Sequence, residues 1–198
     1  MKKMIAVILL ALFLGAPLVR AQEPEWKNEI NLSWGFAPVQ DFAMGFGSVF
    51  VIIFSLGSVS FENAFSTGAV NVEYYRTLND TFAVGGIFTG LVGGADEMTK
   101  QSGTYVKTGD LRYLSLTLMP SVKAYWFRHN RCSMYSKLAL GGGIFSSGDS
   151  SSLDIPDFLP SAQVSPVAIE LGSIRDRGFL ELGIGMQGFL TAGYRHTF

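Results

Sequence analysis

The stretch that decides the fold is DLRYLSLTLMPSVKAYWF, residues 110–127. Its even positions carry an apolar series: Leu114, Leu116, Leu118, Val122, Ala124 and Trp126. The positions between them include Ser115, Thr117 and Lys123, so apolar and polar residues alternate with a period of two. In a strand successive side chains point to opposite faces. The stretch therefore predicts a long β-strand with one apolar face and one largely polar face.

The same period recurs along the chain. It is clear at 30–36, 70–74 and 180–184, and polar or glycine-rich segments separate the alternating runs. Eight strands are predicted: 27–37, 66–77, 81–92, 110–127, 132–145, 161–172, 178–185 and 188–198. Their connections alternate between short polar turns and longer loops, at 38–65, 93–109 and 146–160, with a last short connection at 185–188. This alternation is typical of bacterial outer-membrane β-barrels.

One segment in the first long loop departs from the pattern. Residues 41–56 read DFAMGFGSVFVIIFSL, with large apolar side chains near helical spacing. We expect a short amphipathic helix on the rim of the sheet, or a surface for a partner protein. The alternative is an extra pair of strands, which would make ten. The 28 residues of 38–65 are tight for two spans of about 9 residues each plus loops.

The N-terminus has the three parts of a secretory signal. Lys2 and Lys3 precede an apolar run at 4–14, and Gly15 and Pro17 then interrupt that run before a Val-Arg-Ala cleavage site at 19–21. The run is too short for a transmembrane helix, which needs about 20 apolar residues. We therefore predict a signal peptide at 1–21 and one domain at 22–198.

Composition narrows the class of protein. Hydrophobic residues make up 48% of the chain and charged residues only 16%, which is low for a cytosolic domain. The 15 basic and 16 acidic residues are nearly balanced, so we expect no nucleic-acid partner. Cys132 is the one cysteine, which excludes an intramolecular disulfide.

The C-terminal strand carries a resemblance to a known family. The chain ends in GYRHTF, residues 193–198, and Leu190, Ala192, Tyr194 and Phe198 alternate along it. With the export signal and the alternating strands, this resembles the small outer-membrane β-barrel proteins of the OmpX/OmpA-barrel-like group; His196 stands where an apolar residue is usual.

The resemblance implies an all-β fold, an eight-stranded antiparallel transmembrane β-barrel in the outer membrane of a Gram-negative cell. It implies a monomer surrounded by outer-membrane lipids. Tyr194 and Phe198 would form the assembly signal that the barrel-assembly machinery recognises.

If the apolar series faces lipid, a set of charged side chains points inward. The seven are Glu29, Glu73, Lys123, Lys137, Glu170, Glu181 and Arg195. Glu170 belongs to the set if Pro166 marks a bulge. The interior of an eight-stranded barrel is just wide enough for side chains to fill, and charges there must be paired. We expect a salt-bridge network that closes the lumen. A narrow polar conduit and a proton-active or catalytic cluster are the alternatives.

Catalytic and metal-binding patterns are weak. The two histidines, His129 and His196, lie in a predicted turn and on the last strand, with no His-x-Ser pattern and no metal-ligand spacing. We therefore predict a non-enzymatic protein with no cofactor and no metal, whose exposed loops have a structural or interaction role. The alternatives are a porin-like channel for small solutes or hydrophobic substrates, a lipid-modifying enzyme, and a soluble lipocalin-like periplasmic barrel.

Overall fold

A computed structural model describes residues 27–41, 45, 54–55, 58–149, 152–153 and 157–198. The predicted signal peptide at 1–21 lies outside the described residues. So does most of the apolar segment at 41–56, of which residues 41, 45 and 54 are helical. Within the described part, no helix is long and apolar enough to cross a membrane.

The described chain is almost entirely β-structure. Its strands are β1 (Asn28–Phe36), β2 (Val59–Ser66), β3 (Ala69–Thr77), β4 (Phe82–Gln101), β5 (Thr104–Arg128), β6 (Cys132–Asp149), β7 (Ser152–Leu153), β8 (Asp157–Gly172), β9 (Asp176–Gly185) and β10 (Leu190–Thr197). The expectation of an all-β fold is therefore confirmed.

The strands form one antiparallel sheet that closes in a ring. Pairing runs β4-β3-β1-β10-β9-β8-β6-β5, and β5 pairs back to β4. Within the described residues the ring thus contains eight strands, while β2 pairs with the outer part of β4 and β7 with the end of β6. The ring has two ends. We call the end with the turns 78–81, 129–131 and 173–175 the turn end, and the opposite end the hairpin end.

The prediction of a loop at 93–109 is wrong. β4 and β5 continue as a paired hairpin through this region and turn at Ser102 and Gly103, both of which have positive φ. The predicted loop at 146–160 is also partly strand, because β6 extends to Asp149 and β8 begins at Asp157. In both regions, β4–β5 and β6–β8, the strands stay paired through their backbones beyond the residues whose side chains alternate.

The alternative of an extra strand pair inside the ring is also wrong. β1 pairs directly with β3, from Asn28↔Arg76 to Gly35↔Ala69, so no strand stands between them. The segment 59–66 forms the single strand β2, which pairs with residues 93–99 of β4 outside the ring. Its partner is the extended hairpin that the sequence did not predict.

A β-bulge in β8 changes which side chains of that strand point into the ring. The pairing of β8 with β9 shifts register between Val164 and Val167, next to Pro166. Proline lacks an amide donor and is tolerated at such irregularities. The bulge turns Ser165 and Glu170, which have opposite parity, to the same interior face, where both are fully buried.

The two faces of the ring have opposite polarity. Large apolar side chains cover the outside, and examples are Leu32 at 59% exposure, Phe88 at 47% and Ile184 at 71%. The inside carries buried polar and charged side chains together with an aromatic cluster of Tyr75, Tyr125 and Tyr135. A water-soluble domain has the reverse arrangement.

Candidate functional site

The seven charged residues singled out from the sequence lie inside the ring, each at 2% exposure or less. All lie in the half near the turn end, on β1, β3, β5, β6, β8, β9 and β10. They form two connected groups, one around Lys137 and one around Arg195.

Lys137 is the centre of the first group. Its Nζ lies 2.9 Å from Glu73 Oε1 and 2.5 Å from Glu181 Oε2, so one ammonium bridges two carboxylates on different strands. The hydroxyl of Tyr135 donates to Glu181, and the Asn31 amide donates to Glu73 at 3.0 Å. These hydrogen bonds fill acceptor positions that the lysine leaves on each carboxylate. A buried ion pair needs such additional partners to offset its desolvation.

Arg195 is the centre of the second group. Its Nη1 lies 2.5 Å from Glu170 Oε2 and 3.5 Å from Glu29 Oε2. Lys123 Nζ lies 2.6 Å from Glu29 Oε1, so Glu29 is shared by an arginine and a lysine. The group therefore ties β1, β5, β8 and β10 together across the interior.

The sequence reasoning missed one member of the second group, Arg177. Its side chain is 5% exposed and its Nη1 lies 3.5 Å from Glu170 Oε2. With Arg177 the network contains four acids and four bases among the described residues, so its formal charge is zero. The predicted strand 178–185 began one residue too late to include it. The signal was present, because residues 177, 179 and 181 share one face of a strand.

Aromatic rings fill the space around the charges. Lys123 Nζ lies 4.1 Å from the centroid of the Tyr75 ring and 4.8 Å from that of Tyr135. The Tyr125 and Tyr135 rings are 5.3 Å apart and tilted. Cation–π contacts stabilise a desolvated ammonium. Charges and rings together pack this half of the interior with side chains.

The half of the interior near the hairpin end is polar and mostly uncharged. Thr89 donates to Asn71 Oδ1 at 2.8 Å, and the Asn71 amide donates to Ser33 Oγ at 3.2 Å. The segment after β1 folds over this end. The Gln40 amide donates to Ser115 Oγ at 3.3 Å, and Asp41 accepts from the Tyr113 hydroxyl at 2.9 Å. Gln40 and Asp41, which follow β1, therefore contact β5 at this end.

Gln187 enters the interior from the turn between β9 and β10. It is fully buried, and its amide donates to Glu73 Oε1 at 2.5 Å. Its backbone amide donates to the Gln163 side-chain oxygen at 2.9 Å. The turn can sit this close because residue 35 is glycine. A Cβ on Gly35 would lie 1.6 Å from the Gln187 carbonyl oxygen.

Replacing Gly35 with alanine should therefore push the turn away and withdraw Gln187 from Glu73. We expect the free energy of unfolding to fall by about 1–3 kcal/mol, because backbone atoms must move. Urea unfolding in detergent micelles measures it. The control is Gly45→Ala, where no atom of the described residues lies within 4 Å of the added methyl. Equal effects of the two substitutions would contradict the role of Gly35.

A second charged cluster lies on the β2–β4–β5 extension. Asp96 accepts from the Asn63 amide at 2.8 Å and from Lys107 Nζ at 2.9 Å, and Lys107 also pairs with Asp110. These hydrogen bonds, that of Asn63 first, lower the pKa of Asp96 from 3.8 to about 2. The hydrogen bonds of Lys107 to Asp110 and Asp96 raise the pKa of Lys107. The cluster fixes β2 against the hairpin.

The lowered pKa of Asp96 predicts how this extension responds to acid. Its contacts contribute fully above pH 3.8 and are lost as the pH falls through about 2, because the carboxylate must then be protonated. An NMR titration of the Asp96 carboxyl carbon should give a midpoint near about 2. Asn63→Ala should raise this midpoint, and Thr99→Ala, in the same hairpin, should not. An unchanged midpoint in Asn63→Ala would contradict the assignment.

The remaining sequence-selected residues lie on the outside. Tyr194 and Phe198, the predicted assembly signal, are each 51% exposed. Tyr194 donates to Asp176, and His196 Nδ1 lies 2.7 Å from the same carboxylate. His129 stacks on Phe127 in the turn after β5. The His129 amide donates to the Cys132 carbonyl across one turn at 2.8 Å, while His196 lies on β10, and in the described part of the chain no group of potential ligands could hold a metal ion.

Comparison with known proteins adds no identification. No model of a known protein family matches the chain, and a search of curated proteins gives no match.

Proposed function

We propose that the chain is an eight-stranded transmembrane β-barrel of a Gram-negative outer membrane, similar to the OmpX/OmpA-barrel-like group. The observation that carries this proposal is the inverted polarity of the ring. Leucine, valine and phenylalanine side chains face outward, while eight charged side chains are buried inside. An apolar outer wall is stable against lipid and unfavourable against water.

The height of the apolar wall fits a bilayer. On β4 the outward series runs from Phe82 to Val92, which is about 33 Å along a strand and about 25 Å along the axis of a barrel with the usual tilt. A transmembrane barrel has an apolar band of about 25 Å. Beyond Val92, β4 carries polar residues on both faces, at Asp96, Glu97 and Thr99. The wall therefore has the extent that the membrane requires.

The same geometry supports an orientation. Outer-membrane barrels have short periplasmic turns and longer external loops. We assign the turn end to the periplasm and the hairpin end to the cell exterior. The outward Tyr194 and Phe198 on β10 are the residues that we propose for recognition by the barrel-assembly machinery.

We propose a structural or interaction role for the barrel, with the extension of β2, β4 and β5 displayed outside the cell. Paired charges and aromatic rings fill the interior near the turn end, which favours a closed barrel over the competing function of a narrow conduit. Buried polar atoms without a partner among the described residues occur in both halves, such as Thr117 Oγ1 near the hairpin end and Glu170 Oε1 in the charged layer. In this proposal the paired charges and packed rings of the charged layer form the barrier.

Membrane insertion is tested first by refolding the protein into phosphatidylcholine vesicles. The expected result is heat-dependent migration on a gel and protection of the ring strands from trypsin. Outer-membrane fractionation of the expressed protein tests the location. Recovery of a folded, soluble protein without detergent or lipid would overturn the proposal and favour a soluble barrel.

Closure of the barrel is tested by conductance in a planar bilayer with the refolded protein. We expect no steps across salts and voltages. Steady, reproducible steps would overturn the closed interior and support the conduit. Lipid A mass spectra with and without expression test the lipid-modifying alternative, and we expect them to be identical.

A further inference from the structure

A groove lies at the turn end, between two neighbouring turns. Asn130 and Arg131 line it from the turn between β5 and β6, and Ser173, Ile174 and Arg175 line it from the turn between β8 and β9. Pairing of β6 with β8 brings the turns together, with Cys132 opposite Leu171. The two arginines, 44 residues apart in sequence, thus line one groove.

The two turns that line the groove are held in place from inside the ring. Arg177 donates from Nη2 to the carbonyl oxygens of His129 at 2.8 Å and Asn130 at 3.1 Å. Its Nε donates to the Ser173 carbonyl at 2.9 Å. One buried guanidinium therefore binds the backbones of both turns. A ligand would meet a preformed site, which lowers the ordering cost of binding.

The groove combines basic side chains with apolar side chains. Arg131 and Arg175 are exposed, and a guanidinium matches a phosphate group through paired hydrogen bonds. Ile174 is 51% exposed, and Leu171, which begins the apolar outer wall beside the groove, is 56% exposed. Asp176, an acid that also lines the groove, is engaged by Tyr194 and His196 and attracts the neighbouring Arg175 electrostatically.

We propose that this groove binds an anionic glycerophospholipid of the surrounding membrane. Arg131 and Arg175 hold the phosphate, and an acyl chain extends along the wall from Ile174 past Leu171. A zwitterionic headgroup would add an ammonium beside the two guanidinium groups, so a net negative lipid is favoured. The inference rests on the proposed membrane insertion and adds a lipid preference on one side of the barrel.

The test uses the full protein in nonionic detergent, titrated with dioleoylphosphatidylglycerol or with the corresponding phosphatidylethanolamine and phosphatidylcholine. Native mass spectrometry counts the bound lipids. We expect the first phosphatidylglycerol to bind about 25-fold more tightly than either zwitterionic lipid, since each of the two arginines near an anionic headgroup contributes roughly a fivefold change. Arg131→Gln/Arg175→Gln should reduce this preference to about twofold or less.

The matched control is Lys27→Gln/Arg76→Gln, which removes two exposed charges from the same end but on the opposite wall, where β1 and β3 pair. It should keep the preference. Equal loss in both double variants, or no loss in either, would overturn the site. Equal binding of the three lipids by the wild-type protein would also overturn it.

A second experiment tests whether the groove binds a lipid or a free phosphate ion, by adding inorganic phosphate as a competitor. Millimolar inorganic phosphate should leave the phosphatidylglycerol preference unchanged, because phosphate lacks the acyl chain; loss of the preference would overturn the lipid assignment. Failure of membrane insertion would be seen earlier and separately, as absence of trypsin protection in pure phosphatidylcholine. A protein that inserts there but lacks the preference contradicts this inference alone.

Discussion

Replacing Lys137 with methionine is expected to lower the free energy of unfolding by about 3–5 kcal/mol. Methionine fills most of the same volume, so packing changes little. The substitution leaves Glu73 and Glu181, both fully buried, without the ammonium that bridges them. An uncompensated buried charge is among the most destabilising single changes. The measurement is the urea unfolding midpoint in detergent micelles.

Two controls separate the loss of charge pairing from other effects. Lys107→Met removes a lysine whose side chain is 48% exposed, and should lower the unfolding midpoint far less than Lys137→Met. The triple variant Lys137→Met/Glu73→Gln/Glu181→Gln removes the two carboxylates as well and should recover most of the loss. An unchanged midpoint in Lys137→Met would show that these ion pairs do not hold the interior together.

Replacing Leu32 with arginine is expected to destabilise the protein in lipid by about 2–4 kcal/mol, the cost of an arginine near the midplane of a bilayer on the lipid-facing wall. Leu32 lies at the centre of β1, paired with Val72 and Tyr194 on the outside of the ring. In a water-soluble protein the same exposed substitution would change stability by about 0.5 kcal/mol or less.

The comparison that decides this prediction is Val106→Arg. Val106 is 44% exposed, close to the 59% of Leu32, but lies in the hairpin beyond the apolar wall. Denaturant unfolding of both variants in phosphatidylcholine vesicles should show a large loss only for Leu32→Arg. Similar small effects for the two variants would contradict lipid contact at Leu32.

The facing of the strands could be predicted from the sequence because their period is two. A slip by one residue moves every side chain to the other face, so the alternation at 114–126 determines the facing of β5. The hairpin beyond Val92 could not be predicted this way. At Asp96, Glu97 and Thr99 both faces are polar, and the strand shows itself only in backbone pairing and in cross-strand contacts such as those of Asp96 with Asn63 and Lys107.

Residues of the candidate site could likewise be predicted where they lie on alternating strands, but not where they lie in connections. Lys123 and Lys137 could be placed inside by alternation alone. Gln40 and Gln187 could not, because they enter the interior from connections, where no period applies. Arg177 was hidden by the turn-like sequence SIRDR at 173–177, which obscured the start of β9 at Asp176. Such features depend on tertiary contacts between segments distant in the chain.

The charge network also has a consequence for the lifetime of the folded state. Lys123 and Glu29 are 94 residues apart, and Lys137 and Glu73 are 64 apart, on strands that are not neighbours in the ring. These contacts form only once the sheet has closed, so they stabilise the native state more than a transition state that precedes closure. Lys137→Met should therefore speed unfolding strongly and change the refolding rate little, as stopped-flow fluorescence can measure; an equal slowing of refolding would contradict this. We therefore expect the paired charges to form late in folding and to set the rate at which the closed ring unfolds.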